Sequence, residues 1–135
     1  MTPVLAARYQ QRMGDFRKAL TRLRDMLARD MNDEAVRDSV IQRFEFTYEM
    51  AWKTAKLWLE AKEVRALNPK DVLTAAVGQE LILDGNLWSE LHRNRNITSH
   101  TYQEETAKAV AGFIRAHAVA AFESLLSELE KRPPA

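Results

Sequence analysis

The fold of this chain is decided by its second predicted helix, EAVRDSVIQRFEFTYEMAWKTAKLWLEAK, which runs from Glu34 to about Lys62. Its main apolar residues return every three or four positions, the spacing that places side chains on one side of an α-helix. That stripe comprises Val36, Val40, Phe44, Tyr48, Ala51, Ala55 and Trp58. A second apolar group, Phe46, Met50 and Leu57, falls on nearly the opposite side at about 100° per residue. We expect this second side to contact another chain; the alternative is that the helix simply lies deepest in its own bundle.

Helices are predicted on both sides of this stretch, each opened by a local start signal. Thr2-Pro3 pairs a capping hydroxyl with a proline at the first helical position, and a narrow apolar seam follows it. The seam comprises Tyr9, Met13, Phe16, Leu20, Leu23 and Leu27. Asn68-Pro69-Lys70-Asp71 repeats the signal for a short third helix, and we expect Asp84-Gly85-Asn86 to stop it.

A short fourth helix and a long last helix complete the pattern. The fourth contains Leu87, Trp88 and Leu91. Thr101-Tyr102-Gln103-Glu104 matches a capping box that would open the last helix, and Lys131-Arg132-Pro133-Pro134 would end it. No segment alternates with period two. The sequence therefore predicts one all-α domain over residues 1–135, an up-and-down bundle of three long and two short helices.

Composition narrows the functional classes. The apolar fraction is 46%, the charged fraction is 29% and the formal charge is +1, so no overall basic field marks the chain as a nucleic-acid binder. The absence of cysteine excludes disulfides, thiol catalysis and thiolate metal sites. The three histidines have no metal-ligand spacing, and we expect no metal and no cofactor. We found neither a signal-peptide pattern nor an apolar run long enough to span a bilayer, so the expected location is the cytoplasm, without membrane contact.

Chemistry is concentrated in LHRNRNITSHTY, Leu91–Tyr102. The guanidinium of Arg95 offers a planar fork of donors suited to a phosphate, and His100 can exchange a proton near neutral pH. Together they suit cleavage of a phosphodiester without a metal. His100 would act on the RNA 2′-hydroxyl or on the leaving oxygen, while Arg95, helped by Asn96, would stabilise the phosphate.

Arg95 and His100 cannot face the same atom from one straight helix. Residues five apart point about 140° away from each other. Either the helix breaks between them, as the capping box at Thr101 suggests, or a second copy of the chain completes the site. The unused apolar side of the second helix favours a site at a dimer interface.

A purely structural interpretation competes with this one. RNRNITSH also reads as a polar connection in which Ser99 or Thr101 caps a helix and the arginines face water. A second polar feature, the charged strip of Glu45, Glu49, Lys53 and Lys56, is typical of a solvated helix side with ion pairs four residues apart. It would line a groove if a partner covered that side.

Three phrases resemble a known family. RFEFTYEMAWKTAKLWLE (residues 43–60), NPKDVLTAA (68–76) and RNITSHTYQEETA (95–107) are similar to the nucleotidyltransferase substrate-binding proteins, which belong to the HEPN superfamily with the HepT-type toxins. HepT-type proteins have the pattern Arg-x4-His-x-Tyr. Arg95, His100 and Tyr102 fill it, and the polar Asn96 follows the arginine as the family prefers.

The resemblance implies a specific function. Members are dimeric helical bundles in which the two motifs meet at the dimer interface and form a metal-independent RNase site. A minimal nucleotidyltransferase encoded beside them is the usual partner. In toxin–antitoxin pairs the partner transfers AMP to the motif tyrosine, here Tyr102, and silences the RNase.

The same resemblance carries an alternative function. The helical protein would be the non-catalytic, substrate-binding subunit of a two-component nucleotidyltransferase. Because this chain has no glycine-rich phosphate-binding loop, it would need the catalytic partner to transfer a nucleotide.

Overall fold

A computed structural model describes residues 1–134, and the all-α prediction is confirmed: the described residues form helices and connections without a strand. Residues 1–134 contain five helices, three long and two short as predicted. A 3₁₀ turn, Thr98–His100, follows the fourth helix, and a π-helical turn, Ile114–Ala118, lies within the fifth. The helices are α1 Pro3–Leu27, α2 Glu34–Ala61, α3 Pro69–Gly78, α4 Gly85–Ile97 and α5 Glu104–Lys131.

The side-chain caps at the starts of the first three helices explain where these helices begin. Thr2 Oγ1 accepts from the backbone N–H of Leu5 at 3.1 Å, and the side chains of Asp33 and Asn68 accept from N–H groups in the first turns of α2 and α3. The expected stop at Asp84-Gly85-Asn86 is wrong. α3 already ends at Gly78, and Asp84 Oδ1 instead accepts from the N–H of Leu87, so that it opens α4.

Helix α2 occupies the centre of the bundle and contacts each of the other four helices. This position explains most of its second apolar side without another chain. Leu57 is only 4% exposed and belongs to the core, and Met50 is partly buried against it. Phe46 remains 51% exposed. The alternative of a deeply placed helix is therefore confirmed for most of α2, and only the surface around Phe46 stays available for a second chain.

An aromatic cluster fixes α4, the helix that carries Arg95, to the rest of the bundle. The ring of Phe122 lies 6.3 Å from Phe16, 6.0 Å from Phe44 and 5.8 Å from Trp88, measured between centroids. These four residues come from α5, α1, α2 and α4. Offset and edge-on contacts at these distances stabilise beyond the area that they bury. The cluster therefore fixes the helix whose C-terminal end carries Arg95.

Helix α5 is long and apolar enough to cross a membrane by length and composition, with a mean hydropathy of 1.4 in its most apolar window. Core helices of globular proteins meet the same criterion. In this bundle α5 directs Val110, Ile114, Phe122 and Leu129 into the core between α1 and α2.

The end of α5 also closes the end of α3. Arg132 donates from its two terminal nitrogens to the carbonyls of Glu80 and Gln79, both at 3.1 Å, just after α3 ends. Its guanidinium carbon lies 5.0 Å from the centre of the Trp58 ring, and its own carbonyl accepts from Trp58 Nε1 at 2.7 Å. Glu80 has a positive φ of 58°, a conformation that favours glycine. Arg132 thus holds a strained helix end in place.

We expect Arg132→Ala to lower the free energy of unfolding by about 1–3 kcal/mol, because two carbonyls lose a charged donor. Urea unfolding followed by far-UV circular dichroism measures the change. Lys131→Ala removes the same charge one residue earlier and is expected to change stability by less than about 0.5 kcal/mol. Equal losses in the two variants would show that the fork of Arg132 contributes nothing specific.

Candidate functional site

The candidate site is built where α4 ends. Three hydroxyl groups donate to carbonyls in or just after its last turn: Thr98 Oγ1 to Arg95 at 2.6 Å, Ser99 Oγ to Asn96 at 3.2 Å, and Thr101 Oγ1 to Thr98 at 2.8 Å. These bonds satisfy acceptors that a continuing helix would otherwise bind. The α-helix therefore stops at Ile97, between Arg95 and His100, and the expected break is present.

The capping box, which motivated that expectation, is wrong. Helix α5 begins at Glu104 with Gln103 at its N-cap, and its first turn has no hydrogen bond from a capping side chain of the described residues. Glu104 points elsewhere. Its Oε1 lies 3.6 Å from Arg37 and 3.4 Å from Lys108, so it joins the starts of α2 and α5 instead of reaching back to Thr101.

Arg95 is held by residues of α2. Its Nη2 donates to Glu49 Oε1 at 2.5 Å, and its guanidinium carbon lies 5.9 Å from the centre of the Tyr48 ring. Nη1 donates to Asn96 Oδ1 at 3.5 Å. The guanidinium is partly exposed on a groove of about 420 Å³. That groove is lined by Glu45, Phe46, Glu49, Arg95, Asn96, Thr98 and Ser99.

A short polar chain lies beside Arg95. Tyr48 Oη is 2.8 Å from His92 Nδ1, and Asn96 Nδ2 donates to His92 Nε2 at 3.3 Å. With Nε2 accepting, the proton of the neutral imidazole sits on Nδ1 and is donated to Tyr48. Burial, and then the charge of Arg95, lower the pKa of His92. Burial also raises the pKa of Tyr48 to about 12, so both side chains are neutral near pH 7.

His100 and Tyr102 lie on the turn after the break. Both side chains are exposed, Tyr102 by 79%, and their ring centroids are 6.4 Å apart. Tyr102 lines a second depression of about 450 Å³, and Glu45 and Phe46 line both depressions and so stand between them. Within residues 1–134 no hydrogen bond, ion pair or ring contact joins Arg95 or Asn96 to His100 or Tyr102. One chain therefore presents the motif in two separate parts.

The charged strip of α2 is a wall of this site. Glu49 pairs with Lys53 at 3.7 Å, the predicted spacing of four residues, but its other oxygen binds Arg95. Burial raises the pKa of the nearby Glu45, while the positive charge of Arg95 opposes that rise. Two carboxylates thus face one arginine in the groove. No group of three or more potential metal-binding side chains occurs in the part of the chain that the structure describes.

Sequence patterns predicted Arg95, Asn96 and His100 as site residues, and predicted that the charged strip would line a groove only beneath a partner. The strip instead lines the groove within one chain, and Glu49 from the strip and Tyr48 from the buried stripe contact Arg95. Both lie more than 40 positions from Arg95 and His92 in sequence. Only the packing of α4 on α2 brings them to the motif.

The neutral state of His92 makes stability depend on pH. Its pKa is lowered in the folded chain, so between that value and the ordinary 6.5 the unfolded chain binds more protons. The free energy of unfolding should therefore fall as the pH drops below 6.5, with a slope below the limit of about 1.4 kcal/mol per pH unit for one proton. Urea unfolding at several pH values between 5 and 8 measures this slope. His92→Gln should flatten the slope and the exposed His117→Gln should keep it; an unchanged slope in His92→Gln would contradict the assignment.

Comparison with known proteins identifies the family. The sequence profile described as "Nucleotidyltransferase substrate binding protein like" matches residues 11–131. This chain therefore belongs to the nucleotidyltransferase substrate-binding protein family, and the resemblance found in its sequence is confirmed.

One relative has a named activity. The Haemophilus influenzae protein "Probable ribonuclease HepT" is 39% identical over an alignment of 90 residues, and the match covers 60% of this chain. The chain spans 62% of the length of that relative.

Two solved structures share the bundle. A Thermus thermophilus protein superposes with a TM-score of 0.78 at 31% identity, covering 84% of this chain and 98% of its own. A Haemophilus influenzae protein, described as revealing the fold of a substrate binding domain of a nucleotidyltransferase, superposes with a TM-score of 0.67 at 27% identity. That match covers 93% of this chain and 98% of the other. The helical architecture is thus the one that the family shares.

Proposed function

We propose that this protein is a metal-independent endoribonuclease of the HepT type, active as a homodimer and silenced by AMP transfer to Tyr102 from a nucleotidyltransferase partner. One observation carries the proposal. The helix that bears Arg95 stops two residues after it, so that the arginine lines a groove while His100 and Tyr102 stand exposed on the next turn. The likeness to a protein named as a ribonuclease supports this interpretation.

The reaction follows from the two side chains. The imidazole of His100 removes the proton of an RNA 2′-hydroxyl, and the 2′-oxygen forms a bond to phosphorus. The bond from phosphorus to the 5′-oxygen breaks, and that oxygen takes a proton from water as it leaves. The products are a 2′,3′-cyclic phosphate and a 5′-hydroxyl. Arg95 donates to the phosphate oxygens as negative charge builds on them, which is where a fixed cation lowers the barrier most.

A second copy of the chain would bring the parts of the motif together. In a single chain Arg95 lines one depression and Tyr102 the other, and Glu45 and Phe46 line both. Phe46 is a half-exposed aromatic between two polar depressions, and aromatic residues of this kind are enriched at the centres of interfaces. A partner seated on Phe46 would set its His100 near this chain's Arg95 and exclude water from both.

We expect Phe46→Glu to weaken homodimerisation at least tenfold, because a carboxylate in place of the ring must be desolvated at the interface. Sedimentation equilibrium measures the dissociation constant. Leu83→Glu, which changes an 83% exposed residue far from the motif, is the matched control and should dimerise like the wild type. A monomeric wild type, or a Phe46→Glu dimer of unchanged affinity, would contradict a dimer built on this surface.

The AMP step uses the exposed phenol of Tyr102. Its oxygen forms a bond to the α-phosphorus of ATP, pyrophosphate leaves and the phenolic proton is lost to solvent. The new group carries a negative phosphate and a bulky nucleoside beside His100, whose ring is the neighbour of Tyr102. An RNA phosphate would then meet both repulsion and obstruction.

A second candidate function is supported by the groove at Arg95. That groove is complete within one chain and combines one guanidinium with two carboxylates, Glu45 and Glu49, as a binding site for a small polar substrate would. The solved Haemophilus relative is described as a substrate binding domain. In this function the chain would present a small molecule to its nucleotidyltransferase.

One experiment separates the two functions. The protein is purified with and without a candidate nucleotidyltransferase partner. Each sample is first given α-labelled ATP with Mg²⁺, and single-stranded RNA is then added together with excess EDTA. Cleavage by the protein alone, lost when the label appears on this chain, supports the ribonuclease. Absence of cleavage, with the label transferred to an added aminoglycoside-like small molecule, supports the substrate-binding subunit.

A further inference from the structure

We propose that Glu49 is the positioning residue for Arg95, holding the guanidinium in the groove so that its free donors meet an RNA phosphate. This inference rests on the proposed ribonuclease function. Glu49 lies on α2, Arg95 lies 46 residues later on α4, and their contact joins the two walls of the groove.

The carboxylate of Glu49 is itself fixed by other residues. Its Oε2 accepts from Trp52 Nε1 at 3.1 Å and lies 3.7 Å from Lys53 Nζ, while Oε1 accepts from Arg95. The side chain of Glu49 is 26% exposed. Because each oxygen has a partner on a different side, the carboxylate cannot turn without losing one of them. A carboxylate held in this way is a rigid anchor.

The bond to Glu49 anchors Arg95 but leaves most of its N–H donors free. Only its Nη2 bonds to Glu49, in a single contact instead of the two parallel bonds of a forked pair. Nη1 makes one long bond, to Asn96 at 3.5 Å, and the ring of Tyr48 supports the guanidinium plane. A guanidinium has five N–H donors. Several therefore stay available to a phosphate in the groove.

Two opposite effects of Glu49 have to be weighed. Its negative charge repels a phosphate, whereas its bond fixes a flexible side chain in the orientation that the reaction needs. A forked pair would occupy the donors, and repulsion would then dominate. The single contact, with the side chain of Arg95 38% exposed, leaves the donors open, so that positioning dominates.

The test is single-turnover cleavage of a labelled single-stranded RNA by Glu49→Ala, Glu49→Gln and the wild type. We expect the alanine variant to be about 10- to 100-fold slower, because misplacing a reacting group by about 1 Å costs that much. The glutamine variant should stay within about fivefold, since its amide oxygen still accepts from Arg95 and only the bond from Trp52 is lost. Glu60→Ala, at the exposed end of α2, is the control for loss of a carboxylate. A Glu49→Ala rate equal to or above the wild type, or a glutamine variant as slow as the alanine variant, would overturn the positioning role.

A second readout does not need cleavage. The Nη2–H of Arg95, assigned in ¹⁵N spectra by its loss in Arg95→Lys, should exchange slowly with water in the wild type and in Glu49→Gln, because Nη2 is the group that donates to residue 49. It should exchange at least tenfold faster in Glu49→Ala, because the guanidinium is then released. Unchanged exchange in Glu49→Ala overturns the inference whatever the activity. If the wild type cuts no RNA but exchange is faster in Glu49→Ala, the ribonuclease function is overturned. Glu49 then remains the residue that orients Arg95.

Discussion

His100→Ala is expected to reduce RNA cleavage by about 10²- to 10⁴-fold, the range that a positioned general base contributes. The imidazole is exposed on the 3₁₀ turn and packs into no core, so its removal should leave the fold intact. Cleavage of a 5′-fluorescent single-stranded RNA in EDTA measures the rate. Thermal unfolding of the same preparation shows whether the bundle is unchanged.

The matched control for this variant is His117→Ala. His117 is also exposed, on the π-helical turn of α5, and contacts only Phe113 among the described rings, at 5.4 Å. It should cleave RNA at the wild-type rate. If both alanine variants cleave as fast as the wild type, His100 is no general base, and the proposed mechanism fails. Equal losses in both would instead indicate a general effect of losing an exposed imidazole, and not a role of His100 in the reaction.

Tyr102→Phe is expected to lose AMP labelling completely, together with silencing by the nucleotidyltransferase. The chain has three tyrosines, and Tyr9 and Tyr48 are each 2% exposed, with their hydroxyls near Leu129 and His92. Only Tyr102 offers its phenol to an enzyme. Incubation with the partner and α-labelled ATP, followed by peptide mass spectrometry, locates the label.

Tyr9→Phe serves as the control for the loss of a phenol. It removes a buried hydroxyl that donates to the carbonyl of Leu129 at 3.4 Å, and its labelling should equal that of the wild type. Label that persists on Tyr102→Phe would contradict transfer to this tyrosine. Silencing that persists without label would show that the partner inhibits by binding alone.

The parts of this structure that local chemistry decides could be predicted from the sequence. The start signals at Thr2 and Asn68 depend on a side chain and an N–H group three residues apart, and both caps are present. The capping box at Thr101 failed because its glutamate, Glu104, has another partner in Arg37, 67 positions earlier in the chain. A local sequence pattern does not show that a distant arginine competes with the capping interaction for the same glutamate.

The same distinction applies to the candidate site. The spacing of Arg95 and His100, and the break between them, are properties of one short stretch. The burial of Leu57 and the anchoring of Arg95 by Glu49 depend on where α2 lies among its neighbours. Helical periodicity shows which residues share a side of a helix, but it does not rank several helices by depth. The sequence therefore predicted the candidate motif and the break within it, and missed the residues of α2 that contact the motif.

The bonds from Arg132 to the carbonyls of Gln79 and Glu80 also constrain how the molecule can be made. When α3 leaves the ribosome during synthesis, Arg132 has not yet been made available to bind its end, because more than fifty residues separate Arg132 from Gln79 and Glu80. During synthesis the end of α3 should fray and be open to proteases until residue 132 emerges. Limited proteolysis of nascent chains stalled at increasing lengths would show that the end of α3 becomes protected only after residue 132 has left the ribosome.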